Sequence, residues 1–357
     1  MPRSIAVAVS GGADSMALVL LAQAWTQAHN VDLYTLTVDH GLRKASVSEA
    51  RQVGVWMAEL GVPHHILTWT DGRARTGAVQ ARAREARYRL MRGWCLNHGV
   101  GHLLTAHHRE DQAETVLMRL RKGSGLLGLA AMRPVRDLGG ARLVRPLLDV
   151  PKARLMATLA AHGQDWIEDP SNQNPAFERV RTRELLTHLE GEGVSAERLA
   201  GAAKACAQVR QILEHATTEI LSEIACPIPQ GGVALDLGAF LLAPEQVREL
   251  ALARSLQTVG CKAYPPPQTK LRRLLSWLGC RSTRSGPART LGGCEVRLKA
   301  ECIHILPEAP RKAAARARKK GEIVGNKCAT ALALKGQTSY IQGNPSRQCG
   351  IAPLNMA

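Results

Sequence analysis

Short, mostly apolar runs alternate with segments of helical periodicity through the first half of the chain. The runs predict strands at Ile5–Val9, Leu33–Val38, His64–Trp69, His102–Ala106 and Arg142–Leu147. Between them, apolar residues recur every three or four positions, as they do in amphipathic helices. Strands that alternate with helices usually pair in parallel, with both faces of the sheet covered. The pattern therefore predicts an α/β fold, a parallel sheet with helices on both faces.

The pattern becomes mainly helical after Pro151. The predicted elements are two or three helices between Val150 and Ile224, a strand at Gly231–Asp236, helices at Leu250–Val259 and Thr269–Leu278, and a hairpin at Gly293–Leu306. We expect an α/β domain over residues 1–192 and a smaller, mostly helical domain over 193–307. Residues 308–357 lack sustained periodicity and include six basic residues between Arg311 and Lys320. They are predicted to form a basic, disordered tail.

The balance of charge points to a polyanionic partner. The chain has 47 Lys and Arg against 30 Asp and Glu, a formal net charge of +17. Lysine and arginine displace counterions from phosphates, so a protein this basic is typically a nucleic acid binder. The alternative is a surface that is merely basic.

The nine cysteines are scattered, and no two form a Cys-x-x-Cys pair. This argues against a zinc ribbon, a redox pair or an iron–sulfur site built on that motif. No charge-free stretch is long enough for a transmembrane helix, and Ile5–Val9 is too short for the core of a signal peptide. We therefore expect reduced thiols in a cytoplasmic protein with no membrane partner.

The segment that follows the first predicted strand carries the clearest chemistry. It consists of Ser10, Gly11, Gly12, Ala13, Asp14 and Ser15, and a predicted helix begins at its end. Glycines allow a tight turn with backbone N–H groups close to phosphates, and the helix N-terminus adds partial positive charge. We predict that these six residues bind the phosphates of ATP. Since Asp14 would repel phosphate directly, we expect it to act through Mg²⁺.

This loop is not a Walker P-loop, because no Gly-Lys-Ser/Thr follows it. It looks like the PP-loop of the ATP pyrophosphatases. Further segments narrow the resemblance: Val38–Arg43, Ala81–Tyr88, Leu104–His108, Asp111–Thr115, Gly123–Leu129, Arg145–Leu148 and Asp169–Asn172. Together with the loop, they resemble the tRNA(Ile)-lysidine synthetase family over roughly residues 4–190.

The resemblance implies a Rossmann-like PP-loop ATPase fold that uses ATP and Mg²⁺. Its implied substrates are a minor tRNA(Ile) with a wobble cytidine and free L-lysine. Members of the family adenylate the 2-oxygen of that cytidine, and the side-chain amine of lysine then displaces AMP. The resemblance further implies that residues 193–307 contact the tRNA.

Several acids could serve this chemistry. Asp39 follows the second predicted strand and could hold a cationic substrate, or it could simply form a turn. His107, Asp111 and Glu114 are spaced i, i+4 and i+7, so one helix face presents all three if the helix begins early enough. We predict Asp39, Asp111 and Glu114 as catalytic, because an amine must lose a proton to become a nucleophile. The alternative for the helix acids is a favourable interaction with the helix dipole.

Basic residues complete the predicted site. Arg119 is predicted to be catalytic, since a fixed cation near the leaving pyrophosphate lowers the barrier. Residues predicted to contact substrate or tRNA are Arg43, Arg84, Arg87, His107 and Arg145. For each arginine the alternative is a solvated basic helix face.

Two other functions remain open from the sequence. One is a different PP-loop tRNA-modifying enzyme, such as a thiolase, which usually needs catalytic cysteines. Only Cys95 lies within the first 200 residues. The other is a non-catalytic RNA-binding protein that retains a nucleotide-binding fold.

Overall fold

The structure is a computed structural model of the whole chain. It describes residues 2–41, 46–70, 79–168, 174, 176–229, 231–262, 264–280, 287–299 and 301–308, and for 79–81 the backbone only. Arg43, the segment 169–172 and the tail beyond residue 308 lie outside the described residues. The chain divides into two compact units, residues 1–211 and 212–357.

The first unit alternates strands and helices as the sequence predicts. Its strands are β1 (Ser4–Ala8), β2 (Asp32–Asp39), β3 (His64–Thr68), β4 (His102–Leu104), β5 (Val135–Asp137) and β6 (Arg142–Val144). Its helices are α1 (Ala13–His29), α2 (Ser46–Glu59), α3 (Val79–Asn97), α4 (Arg109–Arg121), α5 (Leu126–Leu129), α6 (Lys152–His162), α7 (Glu178–Gly191) and the first part of α8 (Ala196–Ile224).

The six strands form one sheet in the order β3-β2-β1-β4-β6-β5. All pairs are parallel except β5–β6, so an antiparallel strand that the sequence did not predict closes one edge. From β1 the chain builds outward through β2 and β3, and then returns to place β4 on the other side of β1. The order therefore reverses between β1 and β4. The carboxyl ends of the strands at such a point are where ligands bind in open α/β sheets.

The central strand β1 shows why both faces of the sheet are covered. Ile5 and Val7 pack with Met16 of α1 and Leu155 of α6 in one buried cluster. Ala6, whose side chain points to the opposite face, packs with residues of α3 in another cluster. Because successive side chains alternate across the sheet, a continuous apolar strand needs helices on both faces. The predicted α/β class is confirmed.

The second unit combines helices with a five-stranded sheet. Its further elements are β7 (Ala225–Ile228), β8 (Gly232–Asp236), α9 (Leu237–Leu242), α10 (Glu245–Val259), α11 (Gln268–Gly279), β9 (Arg289–Leu291), β10 (Cys294–Lys299) and β11 (Cys302–Pro307). The strands lie in the order β7-β8-β11-β10-β9, and every pair is antiparallel. The predicted hairpin is β10–β11, whereas β7, β9 and α9 were not predicted. The division at residue 211 falls within α8, and the predicted boundary at 192/193 stays a prediction.

Candidate functional site

The loop between β1 and α1 is shaped by Gly11, which has a φ of +84°. A Cβ at this position would lie 2.8 Å from Cδ1 of Ile167 and 2.9 Å from Cγ2 of Val53. The carbonyl of Gly11 also accepts a hydrogen bond of 2.8 Å from the backbone N–H of Ile167. Only glycine fits this position without strain, because it combines a left-handed conformation with close packing. Gly11 therefore fixes the loop against the segment that follows α6.

Ser15 holds the loop closed. Its hydroxyl donates to the carbonyl of Gly12 at 2.8 Å and accepts from the backbone N–H of Ser10 at 3.2 Å. The hydroxyl of Ser10 lies 3.3 Å from that of Ser15, and Ser10 is exposed. Helix α1 begins at Ala13, and the N–H groups of Ser15 and Met16 donate to the carbonyl of Gly12 at 3.0 and 3.1 Å. The N–H groups that precede Ser15 have no carbonyl one turn back in the helix to donate to. The loop thus has the geometry of an anion site at a helix N-terminus.

A cavity of about 890 Å³ opens beside this loop. Its lining includes Ser10, Gly12, Ala13, Asp14 and Ser15 of the loop, and it extends to the ends of β2 and β4. Among the described residues, the charged side chains that line it are Arg84, Arg87, Lys152, Arg179, Arg183, Asp14, Asp111 and Glu168. The cavity therefore combines a phosphate-binding loop with more cations than carboxylates.

Asp14 is linked to a buried histidine. Nε2 of His108 lies 3.5 Å from Oδ2 of Asp14 and 3.6 Å from Oδ2 of Asp111, while its Nδ1 lies 2.8 Å from Oε2 of Glu110. Burial disfavours the imidazolium, but hydrogen bonds to Asp14 and Glu110 outweigh this and raise the pKa of His108 to about 10. Burial also opposes ionisation of Asp14, and the hydrogen bond and charge of His108 nevertheless lower its pKa.

The pKa of the neighbouring His107 is shifted in the opposite direction from that of His108. It precedes α4, lines the cavity, and has its Nδ1 3.1 Å from the hydroxyl of Thr105. Burial lowers the pKa of His107 to about 4; Asp111 opposes the shift, and Arg145 is among the arginines that add to it. The imidazole is therefore uncharged at neutral pH and can accept a hydrogen bond from a substrate.

The acids of α4 face two arginines of α7. Nε of Arg183 lies 2.6 Å from Oε1 of Glu114, and Nε of Arg179 lies 3.4 Å from Oε2. A second guanidinium nitrogen of Arg179 lies 3.6 Å from Oδ1 of Asp111. Glu114 is 1% exposed, and burial raises its pKa, whereas the hydrogen bond to Glu114 raises that of Arg183. The face of α4 that was predicted to present acids is thus in contact with the arginines of α7.

Arg87 of α3 is paired with His40 in the loop after β2. The guanidinium donates to Nε2 of His40 at 2.9 Å, so this imidazole must be neutral to accept. Burial and the charge of Arg87 lower the pKa of His40. Arg87 is thereby held at the cavity wall, as predicted for a substrate contact, although its ligand stays a prediction.

Four other predicted residues lie outside the described lining of the cavity. Asp39 is buried, and its Oδ1 accepts from the N–H of Gly41 at 2.8 Å and from the hydroxyl of Ser46 at 2.7 Å. Arg145 donates to the carbonyl of Arg133 at 2.7 Å. These contacts give both residues a structural role in adjacent loops. Their predicted functional roles stay predictions.

Arg119 and Glu114 complete this group. Arg119 donates to the carbonyls of Gly128 and Ala131, which flank the end of α5. Glu114 lies beneath Arg179 and Arg183, which themselves line the cavity. Arg43 lies outside the described residues. The structure therefore gathers the loop, Arg84, Arg87, His107 and Asp111 around one cavity.

Sequence reasoning missed several residues of the site, namely His108, Glu110, Lys152, Glu168, Arg179 and Arg183. A local signal existed for some of them. Arg179 and Arg183 are four positions apart, so they share one face of a helix. His108 is the N-cap of α4, with the backbone N–H accepted by Asp111 at 3.1 Å. No local pattern indicated that Lys152 would lie at this cavity.

Two further observations concern thiol-based catalysis and membrane insertion. Cys95 is buried, and burial raises the pKa of its thiol to about 11, which disfavours the reactive thiolate. The state of Cys95 therefore argues against a thiolase that uses this residue as its nucleophile. Among the described helices, none has the length and hydropathy needed to cross a membrane.

A glycine loop between a central strand and a helix, at the switch point of a parallel sheet, defines a nucleotide-binding protein of the PP-loop class. The model of the family described as "PP-loop domain" matches residues 1–190. Proteins named tRNA(Ile)-lysidine synthase resemble most of the chain. That of Methylobacterium nodulans is 42% identical over 87% of this chain and 91% of its own length.

Two further relatives have the same name and match a similar share of the chain. The tRNA(Ile)-lysidine synthase of Rhodopseudomonas palustris is 40% identical over 87% of this chain and 92% of its own length. That of Bradyrhizobium diazoefficiens is 38% identical over 90% of this chain and 93% of its own length. The chain belongs to the tRNA(Ile)-lysidine synthase family. The resemblance inferred from the sequence is confirmed.

Proposed function

We propose that this protein adenylates the wobble cytidine of a minor tRNA(Ile) and transfers L-lysine to it, giving lysidine with release of AMP and pyrophosphate. The observation that carries the proposal is the single cavity lined by the PP-loop, by His107 and Asp111, and by the arginines of α3 and α7. Family membership supports ATP use and a tRNA substrate. We place the reaction in the cytoplasm, where ATP, lysine and tRNA meet.

In the first step, the 2-oxygen of cytidine attacks the α-phosphorus of ATP, and the bond to pyrophosphate breaks. Negative charge builds up on the leaving pyrophosphate. The N–H groups at the start of α1 and the cations Lys152, Arg179 and Arg183 line the cavity where that charge would lie. Fixed positive groups stabilise such a transition state without reorganising.

Asp14 fits a magnesium ion that accompanies ATP. Its Oδ1 is buried and has no hydrogen-bond partner among the described residues, which suits a carboxylate oxygen left for a cation. The described residues contain no cluster of three acidic, histidine or cysteine ligands. Mg²⁺ does not require one, since it typically binds one or two carboxylates together with substrate phosphates and water. The ion would neutralise phosphate charge there.

In the second step, the amine of lysine attacks C2 of the adenylated base, the bond to AMP breaks, and a proton leaves the amine. We assign Asp111 to this step, because it lines the cavity and lies close to the uncharged His107. A carboxylate here can bind the ammonium and receive its proton. Glu114 supports Asp111 indirectly through Arg179. Asp39 was also predicted to hold the cationic substrate. It would bind lysine from the turn in which its Oδ1 accepts the N–H of Gly41.

The tRNA would be bound through charge. Arg84 and Arg87 lie at the cavity wall, and the whole chain carries +17. Contacts from residues 193–307 and from the basic tail 308–357 remain part of the proposal. If phosphates dominate the contact, tRNA affinity falls steeply as salt rises.

The test is incubation with ATP, labelled lysine and transcripts of minor tRNA(Ile), with the wobble cytidine intact or replaced by uridine. Label is expected in the intact transcript alone. ATP–pyrophosphate exchange that depends on tRNA would accompany it, and would separate an enzyme from a protein that only binds RNA. Folded protein that gives no incorporation into the intact transcript would refute the proposal.

A further inference from the structure

One edge of the His108 ring is anchored by Glu110, and the other edge, at Nε2, faces the carboxylates of Asp14 and Asp111. It is 3% exposed, and its Nδ1 lies 2.8 Å from Oε2 of Glu110. The same oxygen of Glu110 accepts the backbone N–H of Lys152 at 3.0 Å, which ties it to the start of α6. The backbone N–H of His108 donates to Asp111. These contacts fix the ring, so the direction of Nε2 is set by α4 and α6 together.

Asp14 of the PP-loop is the nearer of the two carboxylates at this edge; Oδ2 of Asp111 lies 3.6 Å from Nε2 and also accepts the backbone N–H of His108. Nε2 lies 3.5 Å from Oδ2 of Asp14. The other carboxylate oxygen, Oδ1, is buried and has no hydrogen-bond partner among the described residues. Among the described residues, the direct side-chain contact of this carboxylate is therefore made through Oδ2, while the charges of Lys152 and Arg183 act on it from further away. A carboxylate that binds a metal ion with one oxygen is commonly oriented by a hydrogen bond to the other.

We infer that His108 is a positioning residue for Asp14: through Glu110 it holds one oxygen of the Asp14 carboxylate and so presents the other to the cation that accompanies ATP. The inference rests on the proposed use of Mg²⁺ by this loop. Neither His107 nor the arginines of α7 can do this, because no contact of theirs with Asp14 is direct among the described residues. The role requires a donor at the position of Nε2.

Two substitutions separate this role from simple packing. In His108→Asn, the amide nitrogen is placed near the position of Nδ1, so the contact with Glu110 is kept and the donor to Asp14 is lost. In His108→Gln, the amide nitrogen reaches the position of Nε2. ATP binding to the full chain is followed by calorimetry as MgCl₂ is varied, without tRNA or lysine. Substitution of a residue that hydrogen-bonds a metal ligand, without touching the metal itself, typically costs about 10–100-fold in metal affinity.

We expect His108→Asn to raise the MgCl₂ concentration for half-maximal ATP binding by about 10-fold or more, and His108→Gln to restore most of that loss. In an Asp14→Asn background the same His108→Asn change should have little further effect, since coupled residues are not additive. Should His108→Asn not fold, Glu110→Gln replaces it, and a shift in the same direction is expected.

An unchanged Mg²⁺ dependence in His108→Asn, or an equal shift in the Asp14→Asn background, would overturn the inference. The readout does not involve lysine. If the variants show this coupling and the wild-type protein binds ATP with Mg²⁺ yet forms no lysidine, the proposed function is refuted and this inference stands.

Discussion

Glu114 and Arg183 form an ion pair, with Oε1 and Nε 2.6 Å apart, although 69 positions separate them in the chain. The pair joins α4 to α7 beneath the cavity. Glu114 is 1% exposed, while the side chain of Arg183 is 42% exposed. Glu114 therefore fixes Arg183 through Nε of the guanidinium, while the rest of the side chain stays accessible from the cavity that it lines.

Glu114→Gln is expected to destabilise the protein by about 1–3 kcal/mol. The change leaves two guanidinium groups near a neutral amide, and the cost is smaller than for a fully buried pair because both arginines reach solvent. Chemical denaturation measures it. Lys122→Gln is the control, because Lys122 and Glu178 form an exposed pair at 3.0 Å, for which about 1 kcal/mol or less is expected. Equal effects of the two changes would contradict the anchoring role.

Asp111→Asn is expected to slow lysine transfer by about 100-fold, a typical effect of losing a proton acceptor. Pyrophosphate exchange with ATP and tRNA should change much less, because the first step uses the loop and the cations. Single-turnover assays with labelled ATP should then show adenylated tRNA accumulating before lysine is added to it. Loss of both steps in equal measure would place Asp111 in the adenylation step instead.

Gly11→Ala tests the packing of the PP-loop. We expect a loss of about 2–4 kcal/mol in stability, because a left-handed alanine costs about 1–2 kcal/mol and its Cβ also meets Ile167 and Val53. Gly61→Ala is the matched control: its φ is +67°, and a Cβ there meets nothing within 4 Å. The Gly61→Ala change should cost about 1–2 kcal/mol. Thermal unfolding and ATP titration measure both variants, and only Gly11→Ala should weaken ATP binding.

His107 predicts a pH dependence of stability. Its pKa is lowered to about 4 in the folded protein and lies near 6.5 in the unfolded chain. Between these values the unfolded state binds more protons, so the free energy of unfolding falls as the pH drops from about 6.5 to 4. Above pH 6.5 the contribution is fully present. Urea titrations of wild type and His107→Asn across this range should differ in slope, with the steeper fall in wild type; parallel curves would be evidence against the shift.

Arg119→Gln is expected to loosen the segment that contains α5. The arginine donates to the carbonyls of Gly128 and Ala131, and the latter hydrogen bond is 3.1 Å long. Each charge-assisted hydrogen bond contributes about 1.5–3 kcal/mol. Limited proteolysis between residues 123 and 131 should become faster. Arg121→Gln, an exposed position on the same helix, is the control and should not change the cleavage rate.

The elements of the first unit were largely predictable because each follows from a local pattern. The strand, the glycine turn and the start of α1 lie within a dozen residues, and backbone preferences suffice to place them. The grouping of the loop with His107 and Asp111 was also predictable. Strand ends in a parallel sheet share one edge, so residues that follow β1 and β4 must lie close together.

The tertiary structure decided which charges meet. Asp39 and Arg119 have suitable chemistry, but Asp39 is engaged with Gly41 and Ser46, and Arg119 with the carbonyls near α5. Only the packing of α7 on α4 brings Arg183 to Glu114, and only the position of α6 brings Lys152 to Glu110. The sequence determined the PP-loop, since its conformation depends on adjacent residues. Contacts across 42 to 69 positions depend on how helices pack, and hydrophobic periodicity does not specify which polar side chains then lie opposite one another.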